Sequence, residues 1–170
     1  MSSPDLNPQP ISVLTPLLGH SRTAVRKRTI STIAQFVPVS SQSLFDDLLK
    51  NVILPGLNGE STSSVGIEEQ RTIILLIAAV TRHSPGRVTG ALDSILPGIL
   101  DAAAKDDDEL REYALQALEV SVLRCPTEIT PFLGQVVQTG TRLIKYDPVS
   151  AYSRVRAYIV LTTVELCRGR

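Results

Sequence analysis

Apolar residues recur every three to four positions through most of this chain. Between Ser43 and Leu57 they fall at Leu44, Phe45, Leu48, Leu49, Val52 and Ile53, one stripe of a 3.6-residue helix. Val88, Leu92, Ile95, Leu96, Ile99 and Leu100 form a second stripe, and Ile129, Phe132, Leu133, Val136, Val137, Leu143 and Ile144 a third. Gly134 and Gly140 weaken that third helix by about 1 kcal/mol each relative to alanine. Partner helices are expected over Ala24 to Val37, Ile67 to Arg82, Glu109 to Arg124 and Val155 to Cys167. No segment alternates long enough between hairpin turns to predict a strand.

The helices come in pairs, and the pairs repeat. Pro16 in LTPLL, Pro55 in ILPGL and Pro97 in ILPGI stand near the ends of successive first helices, about 40 residues apart. Arg26, Arg71, Arg111 and Arg156 mark the second helices, and Pro38, Pro85 and Pro126 follow the first three of them. Two helices per unit at this period is the pattern of HEAT and armadillo repeats. Such a unit cannot hide its apolar face alone, so neighbours must stack. The fold expected is all-α, a right-handed α-α superhelix of about four helical hairpins covering residues 9–38, 41–84, 86–125 and 127–168. The prolines of ILPG predict a bend or early helix end, with glycine following each. Asn58 to Gly66, NGESTSSVG, is expected to be the most mobile loop.

Composition narrows the function. The 170 residues are 43% hydrophobic, enough for a sizeable core, and 17 Lys and Arg balance 17 Asp and Glu. No net field steers the chain toward nucleic acid or an anionic membrane, so neither partner is expected. Only two cysteines occur, Cys125 and Cys167, too far apart for a usual zinc site or a disulfide framework. The start MSSPDLNPQP lacks the form of a signal peptide, and no apolar run is long enough for a membrane span. The expectation is a soluble intracellular chain.

Candidate chemistry is sparse. His20 and His83 have no acid and nucleophile at a recognisable spacing, and Cys125 ends an apolar stripe, which suits a core thiol. Without strands there is no phosphate loop of the strand-to-helix kind. No catalytic residue, metal ligand or cofactor is therefore assigned. The acidic run at DDDELREY, residues 106–113, reads first as a helix start, with Asp106 and Glu109 at the spacing of a capping box and acids at the positive end of the dipole. Asp107 and Asp108 remain free to face outward. The densest basic cluster is Arg22, Arg26, Lys27 and Arg28, with Arg26 supporting the neighbouring repeat. In stacked repeats one set of helices lines a concave surface whose exposed charges select the partner. The candidate partner contacts are Arg22, Lys27, Arg28, Asp107, Asp108 and Glu112.

AVRKRTI at residues 24–30, DDDELREYALQALEVSVLRCPTEITPFL at 106–133 and KYDP at 145–148 resemble, in the same order, the N-terminal HEAT-repeat region of the cullin-associated, neddylation-dissociated proteins, also called TATA-binding-protein-interacting proteins. The resemblance implies a piece of a long helical solenoid that wraps a cullin carrying its RING subunit and lacking its ubiquitin-like modifier. It implies a part in the assembly of SCF and other cullin–RING ubiquitin ligases, through exchange of their substrate receptors, and a cytoplasmic and nuclear location. The chain departs from the family where KYDPVSAYSRVRAY runs almost directly into the next helix, without the long acidic insertion. The alternative is a transport or trafficking scaffold of the same architecture binding another protein. A segment cut from a solenoid also exposes apolar ends, so self-association is expected to be possible.

Overall fold

The computed structural model describes residues 9–58, 64–145, 160, 161, 163–165, 168 and 169. These residues are mostly helical, with no strand among them. The chain runs through α1 (Gln9–Leu14), α2 (Thr23–Phe36), α3 (Gln42–Leu48), α4 (Leu54–Leu57), α5 (Ser64–His83), α6 (Pro85–Val88), α7 (Leu92–Ala104), α8 (Asp108–Arg124) and α9 (Leu133–Lys145). Short 3-10 turns follow α1, α2 and α6 and precede α9. The second helices expected at Ala24, Ile67 and Glu109 are α2, α5 and α8. The fourth, with Arg156 and Cys167, lies almost entirely outside the described residues, as do most of KYDP and the centre of the polar loop after Asn58.

Two layers result. α2, α5 and α8 pack side by side, with the α5–α8 and α2–α5 contacts the most extensive in the fold. The first helices form the other layer, α4 against α7 and α7 against α9, and α4 and α7 are tied to their own second helices, α5 and α8. All three expected stripes point into the core between the layers: Phe45, Leu48 and Ile53 from the first, Leu92, Ile95, Leu96 and Ile99 from the second, Ile129, Val136 and Leu143 from the third. α8 is buried more widely than one stripe, because it packs against α5 on one side and α7 on another. Leu110, Ala114, Leu115, Ala117, Leu118 and Val122 are all inaccessible. Two hydroxyls caught in this interior are satisfied locally: Thr81 donates to the carbonyl of Ile77 at 2.7 Å and Ser121 to that of Ala117 at 2.8 Å.

The two ILPG segments differ: the first helix ends at Leu57, just past its Gly56, as expected, and the second does not end there. α7 continues through Pro97 and Gly98 to Ala104. α3 and α4 are joined through a π-helical turn, Leu49–Ile53, in which the Leu54 amide donates to the carbonyl of Leu49. That wider turn relieves the clash Pro55 would have with the carbonyl four residues back. Both prolines face solvent, and the adjoining glycines face a neighbour. A Cβ on Gly56 would stand 2.5 Å from Ile73 Cγ1, and one on Gly98 2.5 Å from Leu57 Cγ. Glycine is there for close approach of helices, Gly56 to α5 and Gly98 to α4.

Leu57 is fully buried and cannot step aside. Gly98→Ala is therefore expected to lower stability by about 1–3 kcal/mol through overpacking, despite its gain in helix propensity. Gly134→Ala, where an added Cβ meets nothing within 4 Å, should be neutral or stabilising by up to about 1 kcal/mol. Urea denaturation of the two variants beside the parent chain measures the contrast.

Candidate functional site

The arginines of the second helices form the joints of a ladder along the N-terminal edge of that layer. Arg26 of α2 donates through Nη1 to the carbonyl of His20 at 2.8 Å, and through Nη2 to Thr23 Oγ1 at 3.1 Å and to Glu68 of α5 at 2.9 Å. Glu68 also holds Arg71 one turn further along. Arg71 then crosses to α8, its Nη2 2.6 Å from Asp107 Oδ2, its Nε 3.2 Å from Asp107 Oδ1 and its Nη1 3.1 Å from Glu109. Glu109 accepts a bond from the Tyr113 hydroxyl at 2.6 Å. Arg111 repeats the pattern on the far side of α8, bonding Asp108 at 2.6 Å and the Lys105 carbonyl at 2.8 Å. A second thread runs from Lys105 to Gln70 at 3.0 Å and from Gln70 to the carbonyl of Leu57 at 2.9 Å.

Burial separates these charges into two groups. The side chains of Arg26, Arg71 and Arg111 are only 16%, 20% and 6% exposed; Arg26 and Arg71 are ties between helices, and Arg111 is a tie from α8 to the turn before it. Asp107 is one of them, at 21% exposure. It also caps α8, accepting from the Leu110 amide at 2.7 Å. The cap is thus Asp107 and not Asp106, one residue later than the Asp106–Glu109 capping box predicts. One carboxylate at 107 serves the orphan amide and Arg71 together, while Asp106 projects fully into solvent, 3.7 Å from Arg111. Burial raises the Asp107 carboxyl's tendency to hold its proton, but the hydrogen bonds from Arg71 and Leu110 and the charges of Arg71 and Arg111 outweigh it and set the pKa below the ordinary value. The bond to Asp107 likewise raises Arg71, against its own burial.

Of the other sequence candidates, Arg22, Lys27 and Arg28 are exposed on α2, Asp108 is exposed but bonded to Arg111, and Glu112 is half-buried beside it. The structure brings Lys27 against the ladder, in a small groove with Arg26, Glu68, Arg71 and Tyr113, and does not bring the acidic residues near Arg22 or Arg28. Sequence reasoning missed Glu68, the carboxylate shared by two repeats; its signal was the i, i+3 spacing to Arg71 in EEQR. Tyr113 is pushed up to about 12 by burial and by its bond to Glu109, so it stays a neutral donor. Burial and the charge of Glu128 push the Cys125 thiol up as well, against the pull of Arg124, the reverse of an activated thiolate. His20 Nδ1 accepts the Arg22 amide at 3.0 Å in the turn before α2. Among the described residues no group of His, Cys, Asp and Glu could hold a metal, and no helix is long and apolar enough to cross a membrane.

Known proteins are similar to this chain in sequence. "Cullin-associated NEDD8-dissociated protein 1" of Arabidopsis thaliana is 35% identical over 134 residues, 77% of this chain and 11% of the relative. The chain is homologous to the cullin-associated NEDD8-dissociated proteins. The mouse "Cullin-associated NEDD8-dissociated protein 2" is 33% identical over 137 residues, and the Drosophila melanogaster protein 1 is 32% identical over 139. The chain spans about a tenth of the length of these cullin-associated relatives, 11% of each. No protein-family model matches it.

The ladder has a pH signature. A carboxyl whose folded pKa is depressed adds stability above its unfolded pKa, near 3.8 for Asp107, and loses it as the pH falls through the lower folded value. Asp107→Asn keeps a competent cap but removes the charge facing Arg71. At pH 6 the variant is expected to be less stable than the parent by about 1 kcal/mol. At pH 2.5 the gap should shrink toward zero, as read from urea unfolding at both values.

Proposed function

We propose that this chain is a noncatalytic protein-binding segment whose partner is a cullin carrying its RING subunit, favoured in the form that lacks the ubiquitin-like modifier. The single observation that supports this reading is the 35% identity, over 77% of the chain, to a protein named for its association with cullins and its dissociation by NEDD8. The fold fits the role. A layer of second helices, tied edge to edge by Arg26, Arg71 and Asp107, is a preformed surface that loses little freedom on binding. In the whole protein of which such a segment is part, the role would be regulation of cullin–RING ligase assembly and of substrate-receptor exchange, in cytoplasm and nucleus. The segment alone supplies one portion of that grip, and the exposed Val13 and Leu17 at its first hairpin give it a surface for self-association.

The test is retention of purified unmodified and NEDD8-modified cullin–RING complex on the immobilised chain. Unmodified complex should be held about tenfold more tightly, a difference of about 1.4 kcal/mol. Equal retention of both forms removes the modifier from the proposal. Retention of neither, with a transport or trafficking protein bound instead, replaces the cullin by another partner.

A further inference from the structure

From Arg22 to Phe36 the chain carries four cations and no carboxylate. α2 accordingly has no acid in its first turn and no side-chain cap. Only Arg26 is answered, by Glu68 from the next repeat. Among the described residues no ion pair or hydrogen bond engages the side chains of Arg22, Lys27 or Arg28, and all three are exposed. α5 and α8 differ in this respect near their N-termini, where Arg71 and Arg111 are met by Glu68, Asp107, Asp108 and Glu109. The ladder therefore consumes charge unevenly and leaves the positive surplus on the first of three parallel helices.

Beside Lys27 lies a depression of about 80 Å³ between α2, α5 and the start of α8, whose lining includes Ile30, Thr72 and Leu75. It has room for one small side chain, given that a water occupies about 30 Å³. We infer that this edge docks an acidic protein segment, its carboxylates against Arg22, Lys27 and Arg28 and one apolar side chain in the depression between Ile30 and Leu75. The inference rests on the protein-binding reading above and names the chemistry of the partner surface. Glu68 and Glu109 also border the depression, and Asp106, in the turn before α8, and Asp108, at its start, are exposed. These carboxylates repel a nucleic acid strand, which brings one phosphate at every step, whereas a peptide can confine its acids to the α2 side. The only aromatic ring there, Tyr113, has its hydroxyl tied to Glu109, a poor platform for base stacking. The same carboxylates fix direction, with the acidic part of the partner over α2 and away from α8.

Two measurements on the whole chain test this, each with charge variants. One variant carries Arg22→Glu, Lys27→Glu and Arg28→Glu; a milder one carries glutamine at the same sites in case the first does not fold. A control carries Lys50→Glu, Arg82→Glu and Arg142→Glu, exposed cations elsewhere, with the same change in net charge. In the first measurement the probes are a Glu-rich peptide with one central leucine, its Lys-rich counterpart, and oligothymidylate, followed by amide shifts at low salt. Shifts on α2 and at Leu75 with the Glu-rich peptide alone, lost in the α2 variants and kept in the control, are expected. Stronger binding of oligothymidylate, or shifts spread over the control sites, overturns the inference. In the second, association with unmodified cullin–RING complex should slow by about tenfold in the α2 variants, with a weaker salt dependence, and stay near the parent rate in the control. Parent binding with unchanged rates in the α2 variants also overturns the inference and leaves the cullin reading standing. No binding by the parent defeats the cullin reading, and the peptide measurement then decides the inference by itself.

Discussion

No hairpin of this chain can hide its apolar face by itself, and the rest of the structure follows from that. α5 shows the constraint most clearly. Ile73, Ile74, Leu76, Ile77 and Val80 are all buried, and they cover more of the helix than the four residues of α4 could shelter. The remainder is taken up by α2 on one side and α8 on the other. At about 25 cal/mol per Å² of apolar surface removed from water, each such contact is a principal source of stability for both hairpins it joins. Glycine enters the same economy of space, since Gly56 and Gly98 let helices come closer than any side chain would allow.

Stacking by apolar contact leaves the ends of the second helices side by side, and that proximity makes the arginine ladder possible. Helices packed in parallel bring three N-termini to one edge, where partial positive charge would accumulate. Glu68, Asp107, Asp108 and Glu109 offset it, and the arginines then offset the acids. Because Arg71 bonds Glu68, Asp107 and Glu109 together, it couples the position of one hairpin to the next. Exposed pairs of this kind contribute little singly, but a half-buried fork with several acceptors specifies how the helices align.

Function depends on what the ladder leaves over. A binding solenoid needs a stiff face and unspent polar groups on it; here the internal ties absorb Arg26, Arg71, Arg111 and Asp107, and the residual charge differs from α2 to α8. The protein-binding role proposed above draws on homology to the cullin-associated NEDD8-dissociated proteins and on this preformed helical face.

The periodic stripes specified the helices and their inward faces, because helix period and apolar pattern are local properties of the chain. Spacing of Arg26, Arg71 and Arg111 likewise marked the second helices, and the quoted motifs carried the family. The destinations of charged side chains were not local. Whether Asp106 or Asp107 caps α8 was decided by Arg71, 36 residues earlier, which draws Asp107 inward. Pro97 suggested a helix end, yet burial of Ile99, Ala102 and Ala103 outweighs one missing hydrogen bond and carries α7 onward. Sequence by itself thus determined which segments are helices and which faces are apolar; only the tertiary packing decided which charges are spent between hairpins and which remain for a partner, because that depends on neighbours some 40 residues away along the chain.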